Sequence, residues 1–261
     1  MVRNPVIPSR ISRIALSPDQ VDCIVFWTKH PAGLLPYVRE IGDMGYHLYV
    51  QMTLNSYGPE IEPDTADFDR RIDDAKRLAD KLGPKGVVWR YDPILLQPPY
   101  DVSFHQDAFV RTVGLLSGSV DTCTVSLVDV YRKLAGRIRE PERRETAALL
   151  PLLAEAAGSF GMDIVSCAEP EDLTSFGIQP GRCIDPERIR RITGKPSDQR
   201  KDRSQRKACG CAASVDIGAY RSCTSRCLYC YASPVQHADH DAQAPVLIGN
   251  IRPGDRISSR S

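Results

Sequence analysis

Three cysteines near the end of the chain carry its strongest chemical signal. In DIGAYRSCTSRCLYCYA (216–232), Cys223 is followed after three residues by Cys227, and after two more by Cys230. Three thiolates so spaced on one loop suit three irons of a cubane cluster, and the fourth iron stays open to another ligand. Thiolates are soft and serve zinc as well as iron–sulfur sites. A closed zinc site is therefore the alternative, with Cys227 and Cys230 as a C-x-x-C pair completed by Cys223 or His237. The spacing, the aromatic Tyr229 before the last cysteine and the strand-like run before the loop favour iron–sulfur.

Nine cysteines are present in all, and in a reducing cytosol such crowding reads as metal-binding or catalytic before it reads as disulfides. Cys209 and Cys211 form a C-x-C pair, Cys167 ends a strand-like run and Cys183 lies in a Gly-Arg-Cys turn. These four thiolates suffice for a second, auxiliary 4Fe–4S cluster, to pass electrons or anchor substrate, or for a closed zinc site. The competing reading makes Cys167 and Cys183 buried small hydrophobes. Cys23 and Cys123, inside apolar runs, read as core.

The elements that must position these groups follow from hydrophobic pattern. Strands are expected over 22–28, 47–54, 86–91, 122–128, 162–167 and 215–220. Most are nearly continuous apolar runs, as parallel strands covered on both faces require. Apolar residues at helical spacing predict a helix over 64–82, with Asp64 as N-cap and Gly83 past its end. Another is expected over 142–159, with Pro151 kinking it, and weaker patterns cover 34–41, 103–116 and 186–192.

This alternation implies an α/β fold with a parallel sheet, and a full or partial (β/α) barrel is preferred to a doubly wound sheet. The preference rests on polar residues at strand ends, where barrels collect functional groups. These are Lys29, Gln51, Thr53, Arg90, Asp92, Ser126, Asp129, Tyr131 and Glu169, and on this reading they line a cofactor and substrate site. Arg90 is suited to a bidentate carboxylate or phosphate, or else it pairs with Asp92 as a structural bridge. Tyr131 or Tyr231 could relay a hydrogen atom, although packing is the plainer role. The five histidines show no metal-binding spacing.

The chain reads as one domain, with a barrel portion at 1–194, a cysteine-rich segment at 195–240 and a tail at 241–261. The tail is expected to be extended, with one apolar run, APVLIG. The stretch 193–207, TGKPSDQRKDRSQRK, reads as a polar basic linker. With 34 Lys and Arg against 33 Asp and Glu, the chain has no bulk charge for nucleic acid, which leaves only a local basic patch. No apolar run reaches the roughly 20 residues that cross a bilayer, and no signal peptide opens the chain. A cytosolic location is expected.

C-x-x-x-C-x-x-C with Tyr229 before the last cysteine resembles the radical S-adenosylmethionine motif. That resemblance implies a 4Fe–4S cluster on Cys223, Cys227 and Cys230, with Tyr229 packed beside it. It implies S-adenosylmethionine chelated by the open iron and cleaved to a 5′-deoxyadenosyl radical. An electron donor such as ferredoxin or flavodoxin would be required, and the substrate is not indicated. Taken whole, the chain resembles an uncharacterised domain family, DUF1848. The segments that carry this likeness are VDCIVFWTKHP, WRYDPILL, SLVDVYRK, CAEPEDL, GRCID and the CGC…DIGAY…C…C..CYA tail.

In this family the triplet lies toward the carboxyl terminus, as though a radical-enzyme barrel were circularly permuted. Members open with a strand like ISASRRTDIP ahead of the segment that begins here at Val2. In a permuted barrel that strand would hold the methionine amino group, so a chain starting at Met1 is expected to bind the cofactor less well. WRYDP also resembles a segment of spore photoproduct lyase, a likeness of fold rather than of substrate. The rival readings are a non-enzymatic iron–sulfur redox protein and a zinc-stabilised nucleic-acid module using 195–207.

Overall fold

The computed structural model describes residues 1–5, 7–219, 222–232, 243–247 and 249–260. Its strands are β1 (Val2–Arg3), β2 (Arg10–Ile14), β3 (Ile24–Thr28), β4 (Leu48–Thr53), β5 (Val87–Ile94), β6 (Thr122–Leu127), β7 (Asp163–Ser166), β8 (Gln179–Pro180) and β9 (Arg256–Arg260). Its α-helices are α1 (Val38–Asp43), α2 (Phe68–Leu82), α3 (Val102–Leu116), α4 (Arg143–Ser159) and α5 (Pro186–Thr193). The chain divides into two compact units. One comprises Met1–Val21, Gly58–Asp64 and Val215–Ser261, and the larger comprises Asp22–Tyr57 and Thr65–Ser214.

The larger unit holds a six-stranded, all-parallel sheet in the consecutive order β3-β4-β5-β6-β7-β8. The order never reverses, so the sheet lacks the switch point of a doubly wound fold. Right-handed crossovers running in one direction place their helices on one face. The core agrees. Val50 and Met52 of β4, with Val87, Trp89 and Tyr91 of β5, pack with Ile72 and Leu78 of α2, Phe109 and Val113 of α3, and Leu149 and Leu153 of α4. Full burial of side chains such as Leu78 and Phe109 stabilises the fold by roughly 1.5–3 kcal/mol each.

The intervening residues face the other way, because side chains alternate along a strand. Tyr49 and Val88 pack there against Ile189 of α5. The sheet is thus covered on both faces, which accounts for its unbroken apolar runs. Farther along the same face come Gln51 and Arg90, both buried.

Five of the six expected strands form. The sixth, over 215–220, does not within its described residues 215–219. Asp216 Oδ1 accepts the Gly218 N–H at 2.7 Å, a local turn that competes with extension. Its apolar Ile217 is exposed. α2 begins at Phe68 with Asp67 as its cap residue, not at Asp64, because the Asp64 carboxylate pairs with Arg226.

The pattern over 34–41 resolves into a 3-10 turn at Pro31–Gly33 and the short α1. α4 keeps its expected start through a reciprocal capping box of Glu142 and Glu145, and it runs through Pro151 unbroken. Part of the supposed tail is a strand: β9 pairs in parallel with β2, which also pairs with β1. Of the APVLIG run, Ile248 lies outside the described residues.

Candidate metal centre

The triplet loop belongs to the smaller unit and is tied to its 58–64 segment. Leu228 N–H donates to the Ile61 carbonyl at 2.9 Å. The Tyr229 hydroxyl donates to the Glu62 carboxylate, and Arg226 grips Asp64. Arg226 takes a positive φ of 47°, so the chain turns sharply before Cys227. The Cys230 N–H then bonds the Cys227 carbonyl at 3.1 Å. Cys227 is buried, Cys230 half-buried and Cys223 exposed. His237 and His240 lie outside the described residues, as does Tyr220 at the end of the expected strand.

The other four cysteines come together in the larger unit. Cys183, Cys209 and Cys211 form a buried cluster, with Cys167 and Ala168 packed on it. Cys167 sits just past β7, and Ala168 beside it takes a φ of 54°, a left-handed conformation rare for a residue with a side chain. Cys183 follows β8, where the Gly181 N–H bonds the Ser166 carbonyl at 2.8 Å. A Cβ on Gly181 would meet Val165 Cγ2 at 2.6 Å and the Ser166 oxygen at 2.8 Å, so only glycine permits this close approach.

The sulfurs of Cys167 and Cys183 are 3.2 Å apart. Cys211 Sγ accepts the backbone N–H groups of Cys183 and Ile184 at 3.2 and 3.3 Å. The four cysteines thus pack together, and no ready metal cage of three or more His, Cys, Asp or Glu forms among the described residues.

Gln51 and Arg90 of the expected set converge on this cluster. Arg90 Nη1 donates to Cys183 Sγ at 2.8 Å, and its Nε donates to Asp92 at 3.0 Å. The Arg90–Asp92 bridge therefore forms. Gln51 Nε2 donates to the Cys183 carbonyl at 3.0 Å. Ser126 and Glu169 pair with each other at 3.0 Å, and Glu169 also accepts the Leu127 N–H. Lys29, Thr53 and Asp92 are half-buried, whereas Asp129 and Tyr131 are exposed. Arg206, from the supposed linker, pairs with Asp129. That linker is partly built in: Asp202 is buried and its N–H bonds the Cys211 carbonyl at 2.9 Å.

Sequence reasoning missed Tyr49, whose hydroxyl donates to the Cys183 carbonyl at 2.5 Å. The alternation of HLYVQMTL carries the signal, since Tyr49 and Gln51 share a face. Tyr229–Glu62 carried none, because the two lie far apart in sequence.

Acidity follows the same contacts. The hydrogen bond from Cys183 holds the Cys167 and Cys211 thiols below the usual range, against their burial. Cys183 is pushed up by its bonds to Cys167 and Cys211 and by burial, and Cys209 chiefly by burial. Burial likewise raises Glu169 and lifts Cys23 to about 12. Cys123, wholly buried in the core, is also raised by desolvation. Among the described residues no helix is long and apolar enough to cross a membrane. No curated protein matches the chain. A family described as "Domain of unknown function (DUF1848)" matches residues 1–232, and the chain belongs to it.

Proposed function

We propose that the protein is an iron–sulfur enzyme of the radical S-adenosylmethionine type, built on a partial (β/α) barrel. The observation that carries this reading is the triplet Cys223, Cys227 and Cys230 on one loop, pinned through Leu228, Tyr229 and Arg226. These thiols would hold a 4Fe–4S cluster, whose chemistry is reductive cleavage of S-adenosylmethionine to a 5′-deoxyadenosyl radical. Tyr229 fixes the loop through Glu62. The consecutive parallel sheet supports the barrel, since such sheets gather polar groups at their carboxyl ends. Gln51, Arg90, Asp92, Ser126 and Glu169 lie at or near those ends. Lys29 follows β3 in the same way. A small ferredoxin or flavodoxin would supply the electron, in the cytosol.

The test is an electron paramagnetic resonance spectrum of anaerobically reconstituted, dithionite-reduced protein, with and without S-adenosylmethionine. The expected result is a reduced 4Fe–4S signal that shifts on adding the cofactor. A signal indifferent to it would replace the enzyme with a redox protein. Zinc on the triplet would overturn the reading altogether.

A further inference from the structure

The expected second cluster rests on counting thiols, and the geometry adds a size. We propose that Cys167, Cys183, Cys209 and Cys211 form a closed site for a single zinc-class ion, chemically independent of the triplet. One zinc ion with four thiolates at about 2.3 Å sets neighbouring sulfurs about 3.8 Å apart. The Cys167 and Cys183 sulfurs are already 3.2 Å apart, and Cys209 and Cys211 pack with Cys183 in one buried cluster. The 3.2 Å pair needs only to open slightly to admit one ion. A cubane spreads its thiolates over four irons, and its ligands must stand wider apart.

The surroundings are those of a ligated thiolate rather than of packed small hydrophobes. A cysteine that only fills space needs no donors aimed at its sulfur. Here Cys211 Sγ receives two backbone N–H groups, and Cys183 Sγ receives the Arg90 guanidinium. Such outer donors orient metal ligands and stabilise their charge. Four thiolates around a divalent cation leave net negative charge, and buried Arg90 supplies the compensating cation, shared with Asp92. Tyr49 and Gln51 fix the backbone of Cys183 through its carbonyl.

With four protein ligands no position is open, so the ion's role is structural. It fastens the loop after β8 and the Cys209–Cys211 segment to the end of β7. Gly210, between two of the ligands, keeps that segment close to Arg182, since a Cβ there would meet Arg182 Cγ at 3.2 Å.

The test uses the full chain with Cys223, Cys227 and Cys230 all replaced by Ala, which removes the triplet and leaves the four cysteines intact. Metal and acid-labile sulfide are measured on this variant after purification from zinc- and iron-supplied cells. The expected result is about one zinc per chain and no sulfide. Exchange with cobalt should give the intense visible absorption of a tetrahedral, sulfur-rich site. This spectrum is read on intact ligands, so it does not depend on a quartet variant folding. Adding Cys209→Ala and Cys211→Ala should abolish both zinc and the cobalt spectrum. About four irons with sulfide in the triplet-free chain would overturn the proposal. So would a metal-free protein, or one with a Cys167–Cys183 disulfide.

Discussion

The guanidinium of Arg90 donates to the sulfur of Cys183 at 2.8 Å while its Nε holds Asp92 at 3.0 Å. One buried cation thus serves a thiol and a carboxylate together. Replacing it with an apolar group of similar length, Arg90→Met, leaves Asp92 without its counter-charge and Cys183 without its donor. Removing one partner of such a buried pair should cost about 3 kcal/mol, toward the low end because Asp92 is partly exposed. Chemical denaturation of the metal-free chain reads this cost, and a loss below about 0.5 kcal/mol would show the bridge to be idle.

A second prediction concerns pH. His105 is buried, with Nδ1 against the Tyr91 hydroxyl at 2.6 Å and Nε2 against the Leu95 carbonyl at 2.7 Å. Burial depresses its pKa to about 4. The unfolded imidazole, near 6.5, binds a proton that the folded one refuses, so stability is full above about pH 6.5 and falls as pH drops toward 4. The loss should approach about 3 kcal/mol at about 1.36 kcal/mol per pH unit. Unfolding curves across this range should be flatter for His105→Gln, which keeps a donor and an acceptor but does not titrate. Parallel curves would remove His105 as the cause.

The anchoring of the triplet loop predicts thiol reactivity. In the apo chain Cys223 is exposed and Cys227 buried, so alkylation should mark Cys223 at least about tenfold faster. Tyr229→Phe removes the hydroxyl that reaches Glu62 and should bring the Cys227 rate severalfold closer to that of Cys223. Peptide mapping by mass spectrometry measures both, and an unchanged ratio would mean that the Leu228 and Arg226 ties suffice.

Gly83, which ends α2 at φ 75° and ψ 167°, has a backbone conformation that side chains rarely adopt. Gly83→Ala should destabilise the fold by about 1–3 kcal/mol. Gly42, inside α1 with open space around it, is the control, and Gly42→Ala should stabilise by about 0.5–1 kcal/mol. Thermal unfolding of the two variants should shift in opposite directions.

The larger unit was legible wherever local pattern decided it. Unbroken apolar runs named β3 to β7, and helical spacing named α2 and α4 and, more weakly, α3 and α5, because burial on a strand or helix face imposes its period directly on the sequence. The polar residues at the strand ends could also be read. Beyond the Arg90–Asp92 bridge, what they touch could not, because Arg90 meets Cys183 only after the chain has folded back past β8. Likewise the strand pair β2 and β9 joins the two ends of the chain. Neither strand has a long apolar run, and pairing between such distant segments leaves no local trace. The described part of the last run, 215–219, shows the reverse failure: strand-like composition gave way to the turn at Asp216.

For the candidate sites the division is similar. By itself the sequence determined that the three triplet cysteines share one loop, because spacing along the backbone fixes it. For Cys167, Cys183, Cys209 and Cys211 the sequence offered the grouping against a reading as separate core residues, and only the tertiary structure decided that they pack together, and how closely. Their separation is set by the sheet edge at β7 and β8, by the glycine at 181 and by donors from two other strands. Distances of that kind arise from packing, which no spacing along the chain encodes.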